Sequence, residues 1–273
     1  MKEIRARKYK SYIIYSLLAL ILTSPKFSYA DASTYYDTLL STAYKIRTKE
    51  PQTFAKHLKN LNDQQRKLSS QQNYYLKYLN AFNSAFQGKL ETANRLCKEI
   101  LVSDANQEIK FKTILTLLST LTVSQNWSEG FEYLSTLITI LPSIKNKDDY
   151  HLGYIVAAKT YNLYGQYQYS LDLLSRLKNE ELAQIHQCKR NSLIIEAKLK
   201  QAQLTDFNPQ VHQSIKSCTD AKEQGWENFN RLYLAWYYLN NNAPAKALDI
   251  LLIHLPNIEA ARYPRLTIEV YTS

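Results

Sequence analysis

Few side chains in this sequence could do chemistry: three cysteines, five histidines and two adjacent carboxylate pairs. Cys97, Cys188 and Cys218 are thiols or, in an oxidising compartment, partners in one disulfide. The spacing does not fix which two pair. Ala183–Ala202 and Pro209–Lys222 both repeat apolar residues at helical spacing, and Thr205-Asp206 separates them. Cys188 and Cys218 lie fifteen residues either side of position 203. An antiparallel hairpin would hold them at one height, as a disulfide needs. That pair is the favoured candidate, although equal height does not by itself turn two side chains together. Cys97 falls in a slot taken elsewhere by leucine and reads as a small buried hydrophobe.

His57, His151, His186, His212 and His254 form no HExxH or HxH pattern, and no CxxC occurs. His186, Cys188, His212 and Cys218 would approach one another if the hairpin closes, but zinc needs its four ligands on one point. The disulfide is the stronger reading, and no metal or other cofactor is expected. Asp148-Asp149 and Glu180-Glu181 lie beside lysines near inter-helix loops. They read as solvated helix starts, favoured by the helix dipole. A glycosidase would need two carboxylates facing across a cleft, and no GxSxG elbow occurs. No catalytic residue is assigned, and the chain reads as a binding protein rather than an enzyme.

Aromatic residues are the larger resource. There are 22 tyrosines, 3 tryptophans and 8 phenylalanines. They cluster as Tyr35-Tyr36, as Tyr74, Tyr75 and Tyr78, as Tyr161, Tyr164, Tyr167 and Tyr169, and as Tyr233, Trp236, Tyr237 and Tyr238. Any one of them is first a packing residue with its hydroxyl at a rim. As a set they suit an interface, because tyrosine gives area at low entropic cost. The candidate groove residues are Tyr75, Tyr78, Asn83, Tyr154, Lys159, Tyr161, Asn162, Tyr233, Trp236 and Tyr237. The polar members could hold a ligand's backbone or carboxylate.

The elements that must position these residues follow from a repeat. Small residues recur at Ala55, Ala93, Gly130, Ser170 and Ala247, with spacings of 38, 37, 40 and 77, the last being two periods. A large residue follows three places on: Leu58, Leu96, Tyr133, Leu173 and Ile250. A polar break precedes each, at Lys49-Glu50-Pro51, Gly88-Lys89, Gln125-Asn126, Gly165-Gln166 and Asn240 to Asn242. Before each break runs an apolar stripe of helical period. The unit is a helical hairpin: helix A ends at a Gly or Asn in a left-handed cap, and helix B crosses it at the small residue. One hairpin cannot bury its apolar face alone, so hairpins stack. The spelling Gly165-x-Tyr167-x-x-Ser170 resembles the turn and second helix of a tetratricopeptide repeat. The expected fold is all-α: an α-solenoid of about six antiparallel helical hairpins, tetratricopeptide-like, with a period of about 38.

The first thirty residues stand apart. MKEIRARKYK is a basic segment, Ile13 to Thr23 a short apolar run, and Ser28-Tyr29-Ala30 offers small residues at a cleavage site. This is the layout of a signal peptide over residues 1–30, leaving a helical repeat domain over 31–273 that begins at Asp31. The run is too short for an anchor, so membrane contact is expected only through an uncleaved leader. Six basic residues against Glu3 put half of the +10 net charge in the leader. The remaining +5 is spread thinly, which argues against a nucleic-acid partner. A protein or peptide partner in the periplasm is expected.

A narrower resemblance rests on FAKHLKNL, LSSQQNYYLKYLNAF, GKLETA, LPSIKNKD, YNLYGQYQYSLDLL, and the cysteines of HQCKR and SIKSC. Together these resemble the periplasmic input region of GGDEF diguanylate cyclases from marine gammaproteobacteria. The resemblance implies a sensory input module. Here the GGDEF and EAL signatures are missing, and the sequence ends nine residues after Pro264 opens a new helix. It therefore reads as an input module truncated at its C-terminus or standing alone, and no catalytic residue carries over. Two alternatives stay open: an envelope scaffold or assembly factor, and a superhelical peptidoglycan-acting enzyme.

Overall fold

The computed structural model describes residues 29–48, 50–203 and 205–261. The leader up to Ser28, Lys49 of the first polar break and the helix expected at Pro264 lie outside the described residues. The described residues hold twelve α-helices and no strand. They run α1 Tyr29–Ile46, α2 Pro51–Asp63, α3 Ser70–Phe86, α4 Leu90–Leu101, α5 Gln107–Val123 and α6 Trp127–Ile140. Then come α7 Lys147–Leu163, α8 Tyr167–Ser175, α9 Gln184–Lys200, α10 Phe207–Asp220, α11 Gln224–Asn240 and α12 Pro244–Ala261. Paired in order, they are the hairpins of a tetratricopeptide-like α-solenoid. Among the described residues no helix is long and apolar enough to cross a membrane.

The turns explain why the helices stop where they do. A residue in the left-handed conformation follows α3, α5, α7, α9, α10 and α11: Gly88, Gln125, Gly165, Ala202, Lys222 and Asn242, with φ between 55° and 76°. The next N–H reaches back to the carbonyl five residues earlier, at 2.9 Å in all six, from Lys89 to Ser84 through Ala243 to Tyr238. This pair of features is a Schellman cap, which satisfies carbonyls the helix leaves open. The sequence reading expected Gly or Asn at such points. Gln125, Ala202 and Lys222 show that the hydrogen bonds and packing hold the conformation even with a Cβ. Asn106 and Asn146 cap the starts of α5 and α7, each side chain accepting from a backbone N–H three residues on.

The chain divides into two compact units, with the boundary inside α3 at Leu79/Asn80. In the N-terminal unit α1 packs on α2 over a core that includes Leu40, Phe54, Leu58, Leu61 and Leu76. The Tyr36 hydroxyl donates to Gln64 at 2.9 Å, and Gln72 donates to Asp37 at 2.8 Å. The repeat slot expected at Ala55 is shifted here. Ala55 is exposed and Phe54 is buried in its place. Pro51 starts α2, so the inward stripe runs Phe54, Leu58, Leu61 at helical spacing and leaves Ala55 on the outer face.

In the C-terminal unit the first helices of successive hairpins form one layer, α5 against α7 against α9 against α11. The second helices, α6, α8 and α10, each pack on their own partner and on the first helix of the next hairpin. Ala93, Gly130, Ser170 and Ala247 are all buried, each five residues after a left-handed turn residue. A Cβ on Gly130 would collide with the Tyr164 hydroxyl at the end of α7, so the missing side chain makes room for the next hairpin. Four residues beyond the small residue lie Cys97, Leu134 and Leu174, all fully buried. After Ala93 and Gly130 position four is more central than position three, where Leu96 and Tyr133 are half-buried, but after Ser170 both Leu173 and Leu174 are buried and after Ala247 both Ile250 and Leu251 are half-buried. Burial pushes the Cys97 thiol up to about 12, which makes it a packing residue, not a nucleophile.

Polar ties cross the layer of first helices. Lys112 on α5, 4% exposed, donates to Asp149 on α7 at 2.8 Å and to Glu108 at 2.8 Å. Asp148 meets His186 Nε2 on α9 at 2.7 Å. Asp148 is the solvated helix start that the sequence suggested, its side chain 73% exposed, whereas the same reading of Asp149 is corrected. Asp149 is buried, because its helix start packs against α5 rather than facing water.

Candidate functional site

The last turn of α5, the second half of α7, the middle of α9 and the first half of α11 leave a cleft of about 320 Å³ between them. Val123 borders it from α5, Lys159 from α7, Leu193 and Glu196 from α9, and Trp226, Phe229 and Tyr233 from α11. Four successive hairpins thus each lend their first helix to one groove. Its size is at the low end for ligand pockets, which suits a short segment of an extended ligand.

The α11 wall follows from sequence spacing. Trp226, Phe229, Tyr233 and Trp236 are separated by three, four and three residues and share one helix face. Their ring centroids follow at 6.4, 6.3 and 5.9 Å, within the range of aromatic pairing. Lysines of the same chain reach both end rings. Lys159 Nζ is 5.8 Å from the Trp226 centroid and Lys200 Nζ is 4.3 Å from that of Trp236, both within cation–π range.

The floor is polar. Glu196 is 6% exposed and accepts a hydrogen bond from Asn162 Nδ2 at 2.9 Å. The same amide donates to the Leu193 carbonyl at 3.0 Å. With both acceptors on α9, the amide of α7 is locked, and its Oδ1 is buried without a hydrogen-bond partner. Burying a carboxylate is costly unless polar groups face it. Across the groove the lining passes from a cation on α7, through a carboxylate on α9, to the aromatic wall on α11.

The ten groove candidates separate into distinct places. Lys159 and Tyr233 line the cleft, Trp236 extends the aromatic stripe, and Asn162 lies beneath the floor. Tyr75 and Tyr78 belong to the N-terminal unit, where they stack on each other at 5.9 Å and lie 6.3 and 6.2 Å from Tyr44. Asn83 is half-buried and accepts from Gln87. Tyr154 is a core residue, 4.9 Å from the Tyr150 ring, and its hydroxyl raises the Tyr150 pKa by hydrogen bonding. Tyr161 stacks on Tyr169 at 5.5 Å, and Tyr237 stacks on Phe207 at 5.0 Å. Glu196, Trp226, Phe229 and Val123 were missed. The 3–4–3 aromatic spacing on α11 was a readable signal for two of them. Glu196 carried none, because a glutamate amid lysines in a helix reads as surface.

The cysteine and histidine candidates do not form a metal centre. Cys188 and Cys218 are joined as a disulfide, with Cα atoms 4.6 Å apart. His186 turns to Asp148, while His212 Nδ1 lies 2.9 Å from the Asn208 carbonyl. Among the described residues no group of three or more His, Cys, Asp or Glu side chains could hold a metal ion. A second cleft of about 340 Å³ lies among α10, α11 and α12 and includes Arg231 and Lys246. Arg231 is already engaged by Glu227 at 2.7 Å, so that cleft is less suited to an anion.

No family model matches the sequence, and no curated protein matches it. Among solved structures the chain is similar to NprR in complex with its cognate peptide NprX. The TM-score is 0.61 at 14% identity, over 98% of this chain and 78% of that one. At that identity the likeness is one of fold. The helices, their pairing and this likeness together make the chain a tetratricopeptide-like helical repeat protein.

Proposed function

We propose that this chain is a non-enzymatic periplasmic module that holds a peptide, or an extended segment of a partner protein, in the groove across α5, α7, α9 and α11, and that it serves as a signalling input. The groove itself carries the reading: four consecutive hairpins contribute to it, and its aromatic wall gives contact area at low entropic cost. NprR, similar in fold, was solved with a peptide bound. The periplasmic location is supported by the leader-like first thirty residues and by a buried disulfide, which persists in oxidising compartments. The link to GGDEF cyclases is supported by the sequence resemblance alone.

Selection from a displayed random nonapeptide library against the oxidised 31–273 chain tests the binding. Enriched peptides are expected to bind the wild type and to lose about tenfold or more in affinity to Phe229→Ala, with the variant's fold checked by circular dichroism. Absence of enrichment, or enrichment indifferent to the groove variants, overturns the reading. Cell fractionation tests the location: the expected product is periplasmic and begins at Asp31, and a cytoplasmic chain that retains Met1 counts against it. The scaffold alternative is favoured by one observation, the exposed Leu248, Leu252 and Ile253 on α12. Substituting those three with serine should then abolish partner capture while leaving groove binding intact.

A further inference from the structure

We infer that the cleft among α10, α11 and α12 binds a free α-amino acid with an aliphatic side chain, its carboxylate on Lys246 and its ammonium on Asp249. This goes beyond the peptide reading and does not depend on it. The cleft measures about 340 Å³, at the low end for ligand pockets. Ile215 of α10 and Leu234 of α11 line it as buried residues, and Ile250 of α12 is half-buried beside them. Arg231, Lys246 and Asp249 supply its charges. Arg231 is spent: its Nε and Nη2 both donate to Glu227, at 3.2 and 2.7 Å. That pair cancels on the α11 side. Lys246 and Asp249 remain on α12, both exposed. Among the described residues neither has an ion-pair partner, and Asp249 accepts no hydrogen bond.

The spacing sets the size of the ligand. Lys246 and Asp249 are three residues apart on one helix, so their Cβ atoms stand about 5–6 Å apart on one face. One α-carbon bearing both an ammonium and a carboxylate bridges two heads at that spacing. The termini of an extended peptide of several residues are too far apart to do so. Lys246 Nζ lies 5.5 Å from the Tyr238 centroid. A ring face takes one side of an ammonium, which has three donors, so a carboxylate can join on another side. A simple anion would gain Lys246 but meet Asp249, and a simple cation would meet the reverse. The cleft therefore favours a ligand that carries both charges, with its aliphatic side chain on Ile215, Leu234 and Ile250.

Nuclear magnetic resonance titration of the oxidised protein with L-valine, L-isoleucine and L-leucine tests this. At least one should give saturable shifts at the amides of Ile215, Leu234 and Ile250. With L-leucine as the example, N-acetyl-L-leucine lacks the ammonium and L-leucinamide lacks the carboxylate, and each should bind about tenfold more weakly. Asp249→Asn should no longer separate leucine from N-acetyl-leucine, yet should still separate it from leucinamide. Lys246→Gln should show the converse. No shift with any of the three amino acids at about 10 mM, enough to fill a millimolar site, overturns the inference. So does equal binding of leucine and its two blocked forms. Either failure leaves the peptide reading standing, because the two sites have different linings. The comparison of the three ligands on the wild type needs no variant, so a misfolded one would not prevent a decision.

Discussion

Hairpins α7/α8 and α9/α10 are neighbours in the C-terminal unit, yet they close by different means. In α7/α8 the turn residue is Gly165, α8 begins two residues later, and buried Ser170 lets the helices cross. Leu173 and Leu174 then fill the interior. In α9/α10 the turn residue is Ala202 and α10 begins five residues later, with Asp206 in a second left-handed conformation. The residue at the expected small position is Phe207, fully buried. The helices still approach closely at mid-height, where a disulfide joins them with Cα atoms 4.6 Å apart. A polar knot sits beside it. Asn230 of α11 donates to Ser192 at 2.7 Å and to the Trp226 carbonyl at 3.0 Å, and it accepts from Ser214 at 3.1 Å. The hairpin without the small residue thus adds covalent and hydrogen-bonded ties to its packing. Helix α9, which carries Leu193 and Glu196 of the groove, is held from behind by a bond that depends on redox state.

The largest way to break this comparison is to remove the bond. The cysteines are 30 residues apart in sequence, and a loop of that size implies a loss of about 3–4 kcal/mol in Cys188→Ala/Cys218→Ala. Urea denaturation of the double variant measures it, and dithiothreitol on the wild type should reproduce it. A loss under about 1 kcal/mol would mean that the packing of α9 on α10 holds the hairpin without help from the disulfide, against the magnitudes usual for native disulfides. Next in size is Asn230→Ala. Asn230 is fully buried and serves four partners, one of them the Cys218 sulfur, so its loss strands buried polar groups at about 1–3 kcal/mol. A near-neutral result would show that the knot is incidental to the disulfide.

The contrast also marks where the sequence is readable. The regular hairpins declare themselves because one physical need, close helix crossing, demands a small residue at Ala93, Gly130, Ser170 and Ala247. The helices around Cys188 and Cys218 were placed by apolar spacing, and their boundaries fall within two residues of Gln184–Lys200 and Phe207–Asp220. The Ala55 slot failed because a one-residue shift in helix start is invisible to a pattern that also fits its neighbour Phe54. In the groove, Lys159 and Tyr233 could be named from helix membership. Glu196 could not, because its burial depends on α7, α9 and α11 meeting, a long-range fact with no local mark. Tyr154 failed for the complementary reason: nothing local separates a core tyrosine from a groove one.

The turns offer a finer test with opposite signs. Gly165 has φ +72°, and a Cβ there would meet nothing within 4 Å. Gly165→Ala should therefore cost about 1 kcal/mol from backbone strain alone. Ala202 already bears that strain at φ 56°. Ala202→Gly relieves it while adding freedom to the unfolded chain, for a net gain of about 0.5 kcal/mol. Two changes of the same sign would mean that turn chemistry does not distinguish the hairpins.

The smallest effect probes the tie between them, His186 of α9 against Asp148 of α7. Burial pushes the imidazole below its usual pKa of 6.5, only partly offset by the bond to Asp148, while Lys189 and the His151 ring lower it further. The folded state therefore holds His186 neutral in a window where the unfolded chain has taken up a proton. Below about pH 6.5 the unfolded state binds more protons, so stability falls as the pH drops toward the folded value. Above pH 6.5 both states are neutral at this site and the effect vanishes. His186→Gln keeps a donor for Asp148 but cannot titrate. Its melting temperature should fall less than the wild type's between pH 7.5 and pH 5, by about 2 °C for a chain of this size. Equal slopes, or a steeper one in the variant, would mean that the contact carries no proton-linked energy, and the two hairpins would then differ through the disulfide and its knot alone.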